Sequence, residues 1–148
     1  MSNGTKVKKR DGRIEALDLE KMHLMVEEAT RGLAGVSASQ VEMKSGIQFY
    51  DGITTAEIQE ILIKAASDLI DLDHPNYQFV AARLLLFALR KQLYGKMREM
   101  PHLEPHIMNC TNIDVYDKEI FAKYSKEEID KANSFIDHER DFLFTYAG

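Results

Sequence analysis

The sequence predicts an α+β fold that is mainly helical and begins with a small β-hairpin. Short extended segments flank the dipeptide Asp11-Gly12, and apolar residues then recur at helical spacing as far as Gly95. Thr54-Thr55-Ala56-Glu57 has the form of a helix-capping box. The helical pattern is weaker afterwards. We therefore predict a compact domain over residues 1–95 and a helical extension over residues 96–148.

The hairpin is predicted over residues 6–17, with Asp11-Gly12 as a type I′ turn. The basic residues before the turn are poor strand formers, so the prediction depends on the turn. Because side chains alternate along a strand, Lys8 and Arg10 are expected on one face of the hairpin and Lys9 on the other.

Two helices are predicted after the hairpin. Asp18 is the expected N-cap of the first helix, and apolar residues recur at helical spacing from Leu19 to Leu33. The second helix is expected from about Ser39 to Phe49. Its expected inward-facing residues are Val41 and Ile47, with Met43 as a weaker candidate.

The third and fourth helices have the clearest signals. Thr54 caps the third helix and Glu57 reaches back to it, after a very short third strand at Ile53. Pro75 suits the first turn of the fourth helix and Gly95 suits its end. The two apolar stripes are Ile58, Ile61, Leu62, Ala65, Leu69 and Leu72, and then Tyr77, Val80, Ala81, Leu84, Phe87 and Ala88. The fourth helix is expected to be central, because its apolar surface is widened nearly all round by Leu85, Leu86 and Leu89.

The extension is predicted to contain short helices at residues 106–110 and 117–124. A second capping box, Ser125-Lys126-Glu127-Glu128, opens a helix to about His138. The chain then closes on an apolar run, Phe142-Leu143-Phe144 with Tyr146, which needs a surface to pack against. Either the preceding helices or the rest of a longer chain could supply that surface.

Composition excludes several classes of protein. The 148 residues carry a net charge of −5 and 45% hydrophobic residues, which indicates an ordinary globular protein without a basic nucleic-acid surface. The single cysteine excludes an internal disulfide framework and a zinc site built from several cysteines. No apolar leader core opens the sequence, and no run approaches the roughly 18 apolar residues of a membrane span. We expect a cytoplasmic protein with neither nucleic-acid nor membrane partners.

The sequence contains few residue patterns that are typical of a catalytic site. The sequence has no Walker-type phosphate loop and no dinucleotide fingerprint. Cys110 near His102 and His106 could form a nucleophile and base, but a half-exposed thiol beside surface histidines is the simpler interpretation. No carboxylate pattern completes a metal site around these histidines. We expect no catalytic residue and no metal ligand.

Anion binding is better supported. The hairpin carries several cations, and the capped helix start at Thr54 and Thr55 presents backbone donors that suit a phosphate. Lys91 lies late on the fourth helix. In a bundle these elements could converge on one anionic ligand. A solvated basic hairpin is the alternative, and spacing alone favours that alternative.

Several longer motifs follow one another in a characteristic order. They are Lys9-Arg10-Asp11-Gly12-Arg13 with Glu15 and Lys21, Ser37-Ala38-Ser39-Gln40-Val41-Glu42, Ile47-Gln48-Phe49-Tyr50-Asp51-Gly52-Ile53 with Thr55, Ile63-Lys64-Ala65-Ala66, Pro75-Asn76-Tyr77-Gln78-Phe79-Val80-Ala81-Ala82-Arg83-Leu84, and Phe87-Ala88-Leu89-Arg90-Lys91 with Tyr94-Gly95. Together they resemble an ATP-cone domain. The later segments Phe135-Ile136-Asp137-His138-Glu139-Arg140-Asp141 and Phe144-Thr145-Tyr146-Ala147 are similar to the start of class I aerobic ribonucleotide reductase large subunits of the enterobacterial and T-even phage type.

The resemblance covers nearly the whole chain and implies both fold and function. The fold would be an N-terminal β-hairpin with a short third strand packed on a four-helix bundle, followed by a helical extension. The function would be allosteric control of a reductase by ATP or dATP, with Mg on the phosphates. The implied partners are the remainder of the large subunit and the small subunit. Cys110 matches none of the family's catalytic cysteines, so the chain is expected to be a fragment or a split-gene product.

The resemblance also implies a nucleotide-binding set. Lys9 and Arg10 would lie near the nucleotide, and Glu15 would make a polar contact in the stretch that passes the base and sugar. Lys21 and Lys91 would lie near phosphate, with Thr55 at the helix N-terminus. The full expected set is Lys9, Arg10, Glu15, Ala16, Leu17, Asp18, Leu19, Glu20, Lys21, Thr55, Gln59, Phe87 and Lys91. Backbone or packing roles are expected for Ala16, Leu17, Leu19 and Glu20.

Two positions depart from the family pattern. Many dATP-inhibited relatives have histidines where this chain has Gln59 and Ala88. Neither residue can carry a positive charge, and a lost charge-assisted contact costs ~1.5–3 kcal/mol, which is roughly a ten- to hundredfold loss of affinity. We therefore expect weakened nucleotide binding and reduced discrimination between ATP and dATP. The alternative is a vestigial cone that serves as a structural or subunit-interaction module without useful nucleotide regulation.

Overall fold

The computed structural model describes residues 4–148, which divide into two compact units. One unit ends at Leu89 and also contains Asp141–Gly148, and the other is Arg90–Arg140. The predicted α+β, mainly helical class is confirmed. The boundary between the units lies after Leu89, six residues before Gly95. The assignment of residues 1–95 and 96–148 as domains stays a prediction. The absence of an apolar leader was predicted in part from residues 1–3, which lie outside the described residues.

A small sheet opens the first unit, and among residues 4–148 it has the strand order β2-β1-β3. The strands are β1 (Lys6–Lys8), β2 (Ile14–Ala16) and β3 (Ile53–Thr54). β1 is antiparallel to β2 and parallel to β3. Val7 and Ile53 lie opposite each other and are both buried, which anchors the sheet to the core. The predicted third strand at Ile53 is confirmed.

The hairpin turn is not the predicted type I′ turn. The Lys9 N–H donates to the Arg13 carbonyl at 2.8 Å, and the Gly12 N–H donates to the Lys9 carbonyl at 3.0 Å. Gly12 has a φ of 86°, whereas Asp11 is not among the described residues with positive φ. A type I′ turn needs positive φ at both central residues, so the prediction was wrong. The loop instead has three residues, Arg10 to Gly12, and Gly12 supplies the left-handed conformation.

The first helix, α1, is Leu19–Thr30. The Asp18 carboxylate accepts a hydrogen bond from the Lys21 N–H at 2.9 Å, which confirms the predicted N-cap. The helix buries one face against the core through Met22, Val26 and Ala29. α1 therefore begins directly after β2 and a two-residue link.

The second helix, α2, is Ala38–Gly46 and is shorter than predicted. Val41 is buried as expected, but Ile47 and Met43 are 84% and 67% exposed, so those two predictions were wrong. α2 ends before Ile47, and Ser45 takes the buried position beside Val41. The Ser45 hydroxyl is satisfied there because it donates to the Glu42 carbonyl at 2.9 Å.

The third and fourth helices are α3 (Thr55–Ser67) and α4 (Tyr77–Tyr94). α3 ends at Ser67, and Leu72, predicted to continue its apolar stripe, is fully exposed. α4 buries Tyr77, Val80, Ala81, Leu84 and Phe87. α4 is not buried on every side, because Leu85 and Leu89, which were expected to widen its buried surface, remain 47% and 48% exposed.

The terminal apolar run returns to α4 within the first unit. The Phe142 ring meets Phe87 edge to face at a centroid distance of 6.1 Å, and the Arg83 guanidinium lies 5.2 Å above the Phe142 ring. The Tyr146 N–H donates to the Gln78 carbonyl at 3.1 Å. Phe142 therefore packs on a preceding helix, which was one of the two surfaces expected for this run. Phe144 stays 60% exposed.

The second unit contains α5 (Leu103–Asn112), α6 (Ile120–Lys123) and α7 (Lys126–Ser134). The two predicted short helices are confirmed in kind, although α5 is longer and α6 shorter than expected. The second capping box is confirmed at Ser125 and Glu128. α7 ends at Ser134 rather than near His138, where a 3-10 helix, His138–Leu143, begins. Among the described residues, no helix is long and apolar enough to cross a membrane.

Candidate functional site

The parallel pairing of β1 and β3 brings the basic hairpin to the start of α3. Lys8 lies opposite Thr54 in this register. Because the strands are parallel, Lys9 and Thr55 leave the sheet at the same edge. Thr54 is both the last residue of β3 and the N-cap of α3. Two elements of the predicted anion site, far apart in sequence, are therefore neighbours in the fold.

The N-terminus of α3 is held by a complete capping box. The Thr54 Oγ1 accepts from the Glu57 N–H at 3.2 Å, and the Thr54 N–H donates to the Glu57 Oε2 at 2.8 Å. The Thr54 hydroxyl and the Tyr50 hydroxyl also donate to the Glu57 carboxylate, at 2.6 and 2.8 Å. First-turn amides at Thr55 and Ala56 have no partner within the helix itself. These amides are the donors that a bound anion would use.

The same contacts fix the charge of Glu57. The hydrogen bond from the Thr54 hydroxyl, then the Thr54 N–H and the Tyr50 hydroxyl, hold the pKa of Glu57 below its ordinary value of 4.5. The hydrogen bond to Glu57 also raises the pKa of Tyr50 above 10.0. Glu57 is therefore a carboxylate at neutral pH, and it offsets part of the positive end of the helix dipole. An anion at Thr55 has to be bound by additional cations.

The hairpin supplies such cations, and two of them, Lys9 and Arg13, are already in ion pairs. The Lys9 Nζ lies 3.3 Å from the Glu15 Oε2, and the Arg13 Nη1 lies 3.2 Å from the Glu15 Oε1. The Arg13 Nε donates to the Asp11 Oδ2 at 2.7 Å. Hydrogen bonds from Arg13, above all from its N–H, lower the pKa of Asp11, and the bond to Asp11 raises that of Arg13. Lys9 and Glu15, both predicted ligand residues, thus contact each other.

The segment from β2 to α1 holds a continuous part of the predicted set. Glu15 and Ala16 belong to β2, and the Leu17 N–H donates to the Thr5 carbonyl at 2.9 Å. Asp18 caps α1 and Leu19 begins it. The exposed residues Glu20 and Lys21 follow in its first turn. The backbone hydrogen bond of Leu17 therefore holds this segment against the hairpin that carries Lys9.

Two predicted residues lie deeper. Gln59 is 8% exposed and lies four residues after Thr55, so both project from the same face of α3. Phe87 is only 2% exposed and packs against Phe142, which gives it a core position. Ala88 is half-buried on α4. Lys91 lies in the last turn of α4, within the second unit.

The sequence interpretation missed Arg13 and Asp11 as parts of this site. A signal for them was present, because Lys9, Asp11, Arg13 and Glu15 alternate in charge at every second position. Arg13 and Glu15 lie two residues apart on the second arm of the hairpin and therefore share a face, and Lys9 lies opposite Arg13 on the first arm. The sequence interpretation considered the cations singly and did not consider which carboxylates would share their face.

The second unit contains the cysteine and histidines considered for catalysis. The Cys110 Sγ lies 3.7 Å from the His106 Nε2, and the His106 ring meets the rings of Tyr94 and Tyr116 edge to face. His102 instead faces Asp130, with the Nδ1 3.8 Å from a carboxylate oxygen. Within residues 4–148, no cluster of three His, Cys, Asp or Glu side chains is arranged to hold a metal ion.

The sequence that forms this sheet and the capped helix matches a known family. Residues 5–92 match the family described as the ATP cone domain, and the chain belongs to that family. The resemblance inferred from the motifs is thereby confirmed.

Full-length relatives extend the match beyond the cone. The chain is 47% identical over 147 residues to the ribonucleoside-diphosphate reductase 1 subunit alpha of Escherichia coli (strain K12), which covers 99% of the chain and 19% of that protein. It is 44% identical over 144 residues to the subunit alpha of Helicobacter pylori, covering 96% of the chain and 18% of that protein. It is 42% identical over 142 residues to the subunit alpha of Enterobacteria phage T4, covering 95% and 18%. The chain spans about a fifth of the length of these curated relatives.

Proposed function

We propose that this chain is the N-terminal regulatory region of a ribonucleoside-diphosphate reductase large subunit, and that its cone binds ATP or dATP. The observation that carries the proposal is the parallel pairing of Lys8 with Thr54, because Lys9 and Thr55 follow these two residues at the same edge of the sheet. Membership of the ATP-cone family supports the ligand class. Mg²⁺ would accompany the phosphates, as it does for most protein-bound triphosphates.

The proposed ligand contacts follow from this placement. Lys9 and Arg10 would bind phosphate from the hairpin, and the amide and hydroxyl of Thr55 would bind it from α3. Lys21 and Lys91 are proposed as further phosphate contacts. The segment Glu15–Lys21 would pass the base and sugar, and Gln59 would add a neutral hydrogen bond. Phe87 would support the site by packing, since it is almost fully buried.

The regulatory effect is proposed to be allosteric. The nucleotide would shift an equilibrium between assemblies of the large subunit with the small subunit, through different affinities for the two assemblies. The remainder of the large subunit would supply the catalytic residues for deoxyribonucleotide synthesis. We propose that this takes place in the cytoplasm. We assign this chain no catalytic step.

A second candidate function is a structural cone that no longer binds nucleotide usefully. Two observations favour it. Gln59 is buried and neutral at a position where the family resemblance implies a histidine, and Lys9 is already paired with Glu15 at 3.3 Å. In that case the cone would serve only as a surface for the other reductase subunits.

Calorimetric titration of the whole chain with Mg-ATP and with Mg-dATP separates the two candidates. Saturable binding that Lys9→Ala weakens at least tenfold supports the regulatory function. Lys64→Ala is the matched control, because Lys64 lies near the other end of α3 and pairs with Asp68. No heat of binding up to about millimolar nucleotide, from a chain shown to be folded, would favour the structural cone.

A further inference from the structure

The outer face of the small sheet combines aliphatic and basic side chains. Val7 is buried, so its neighbours Lys6 and Lys8 project from the opposite face of β1. Ile14 lies opposite Lys8 in the antiparallel register. Ala16 lies opposite Lys6 in the same register, so these four side chains share one face. All four residues are exposed, and Ile14 is 67% exposed. We call this surface the basic face.

The hairpin that carries the basic face is strongly positive. Residues 6–16 contain five cations and two acids, although the whole chain has a net charge of −5. Two carboxylates near the sheet are held by their own hydrogen bonds. Asp51 accepts from the Lys6 N–H at 2.8 Å, and Glu57 accepts from the Thr54 hydroxyl at 2.6 Å. The basic face therefore suits an apolar group that is flanked by negative charge.

The loop after α3 has that complementary character. Residues 68–74 contain three aspartates and no lysine or arginine. The Asp71 carboxylate closes a tight bend, because it accepts from the His74 N–H at 2.6 Å and lies 3.0 Å from the His74 Nδ1. Leu72 lies within this bend and is fully exposed, and the exposed Asp73 follows it. We call Asp71, Leu72 and Asp73 the acidic tip.

The helix α3 separates the two surfaces within the first unit. β3 runs directly into α3 at Thr54, and the acidic loop begins at its C-cap, Asp68. The 13 residues of α3 span about 20 Å. The helix dipole adds positive potential at the hairpin end and negative potential at the loop end. A contact between the two surfaces therefore needs two molecules, and a second copy of the chain supplies the complement of each.

We propose that the acidic tip of one copy docks on the basic face of another copy, in a head-to-tail contact between cones. Leu72 packs on Ile14 and on the aliphatic stems of the two lysines, and the flanking carboxylates pair with the lysine ammonium groups. Lys6 and Lys8 lie about 6.7 Å apart along the strand, a distance that two residues of another segment can also span. The contact is heterologous, because two different surfaces meet.

This contact is expected to be weak and sensitive to salt. One exposed leucine and two exposed ion pairs form an interface well below the roughly 1,200 Å² of a standard complex. We expect a dissociation constant of about 0.1–1 mM. Because exposed charges contribute, the dissociation constant should rise severalfold when the ionic strength increases from about 0.05 M to about 0.5 M. The inference goes beyond the proposed function and does not depend on nucleotide binding.

Amide NMR spectra of the full chain test the proposal. In the native chain, amide shifts at the basic face and at the acidic tip should change with protein concentration up to about 1 mM. Lys8→Glu removes the basic face, Leu72→Ser removes the apolar part of the tip, and each variant alone should lose this dependence. Lys6→Glu is a second variant of the face, and the spectrum itself shows whether each variant is folded.

A mixture of the two variants tests the head-to-tail arrangement. The Lys8→Glu chain retains its acidic tip and the Leu72→Ser chain retains its basic face, so one native contact can form between them. Labelled Lys8→Glu chain should show shifts around Leu72 when unlabelled Leu72→Ser chain is added. With the labels exchanged, the shifts should lie around Ile14. Two exposed controls, Lys131→Glu on α7 and Met43→Ser on α2, should keep the native concentration dependence.

Two kinds of result would overturn the proposal. A native chain without concentration-dependent shifts up to about 1 mM would show that a second copy is not the occupant of the basic face. Concentration dependence that survives in both Lys8→Glu and Leu72→Ser, or shifts in the mixture that lie away from the two surfaces, would assign the contact to other residues. Nucleotide titration of the same variants reports the proposed function separately, since neither Lys8 nor Leu72 belongs to the proposed ligand set.

Discussion

The imidazole of His23 ties α1 to α2, with its Nδ1 2.7 Å from the Oε1 of Glu42. Its Nε2 lies 3.2 Å from the Oε1 of Glu27 on α1 itself. An imidazole can donate from both nitrogens only when it is protonated. The arrangement therefore favours the charged ring. It also places a titratable link two residues after Lys21, in the helix that begins at the candidate site.

This link predicts a pH-dependent stability. The hydrogen bond to Glu42, with the charges of Glu42 and Glu27, raises the pKa of His23 above 6.5. The folded chain then holds this proton more tightly than the unfolded chain does. The stabilisation is complete below the unfolded pKa and is lost as the pH rises through the folded one. We expect the urea concentration at the midpoint of unfolding to decrease as the pH is raised above about 6.5, the ordinary pKa of histidine.

Variants test whether His23 causes that fall. His23→Gln and Glu42→Gln should each flatten the profile over this range, whereas Glu20→Gln, an exposed change on the same helix, should keep it. A profile as steep in His23→Gln as in the native chain would assign the dependence to another group. Fluorescence or circular dichroism at fixed protein concentration is sufficient for the measurement.

Local features of this fold could be predicted from sequence, and distant ones could not. The Asp18 cap and the Thr54 capping box involve residues three apart, so their patterns stand in the sequence. Ile47 was misassigned because apolar spacing does not show where a helix ends, and α2 stops one residue earlier. The parallel pairing of Lys8 with Thr54 depends on packing of the whole unit. Local sequence patterns therefore could not predict the sheet edge at which the hairpin meets the start of α3. The residues of the candidate site came from the family resemblance instead.

Tyr77→Phe tests a buried hydrogen-bonded link between α4 and α2. The Tyr77 hydroxyl accepts from the Ser37 N–H at 3.0 Å and donates to the Gln40 Oε1 at 2.9 Å, and the residue is 1% exposed. The substitution leaves both partners without this bond, so we expect a loss of about 1–2 kcal/mol in the free energy of unfolding. Urea unfolding measures it. Tyr124→Phe, at a residue 55% exposed, is the control and should change the stability by less than about 0.5 kcal/mol.

Thr54→Ala tests the cap that orients the start of α3. The substitution removes the side-chain acceptor for the Glu57 N–H and the donor to the Glu57 carboxylate. Loss of an N-cap of this kind should destabilise the chain by about 1–2 kcal/mol. Hydrogen exchange of the α3 amides, read with urea unfolding, locates the effect. Thr55→Ala changes the neighbouring hydroxyl without touching the cap, and an equal loss there would show that the capping box is not the cause.

Phe142→Ala tests the attachment of the last segment to α4. The ring contacts both Phe87 and Arg83. Removing the ring loses the edge-to-face contact and its apolar burial, so we expect a loss of about 1–3 kcal/mol. The exchange rate of the Tyr146 amide, which bonds to the Gln78 carbonyl, should rise more than that of amides within α3. Phe144→Ala removes the same ring from a site 60% exposed, and a matching rise there would contradict a specific role for Phe142.

Gln59→His and Ala88→His test whether the two departures from the family pattern have weakened nucleotide binding. A histidine at each position could give the phosphates or sugar a charge-assisted donor, which neither native residue provides. Each such contact is worth ~1.5–3 kcal/mol, so the double variant should bind dATP about tenfold tighter or more. The gain should shrink above about pH 7, where a histidine with an ordinary pKa is neutral. Because Gln59 is 8% exposed, the Ala88→His single variant separates a binding effect from a packing defect. Ala82→His, at another half-buried alanine of α4, is the matched control. A double variant that is folded and binds dATP no better than the native chain would show that these two positions do not limit the affinity of this cone.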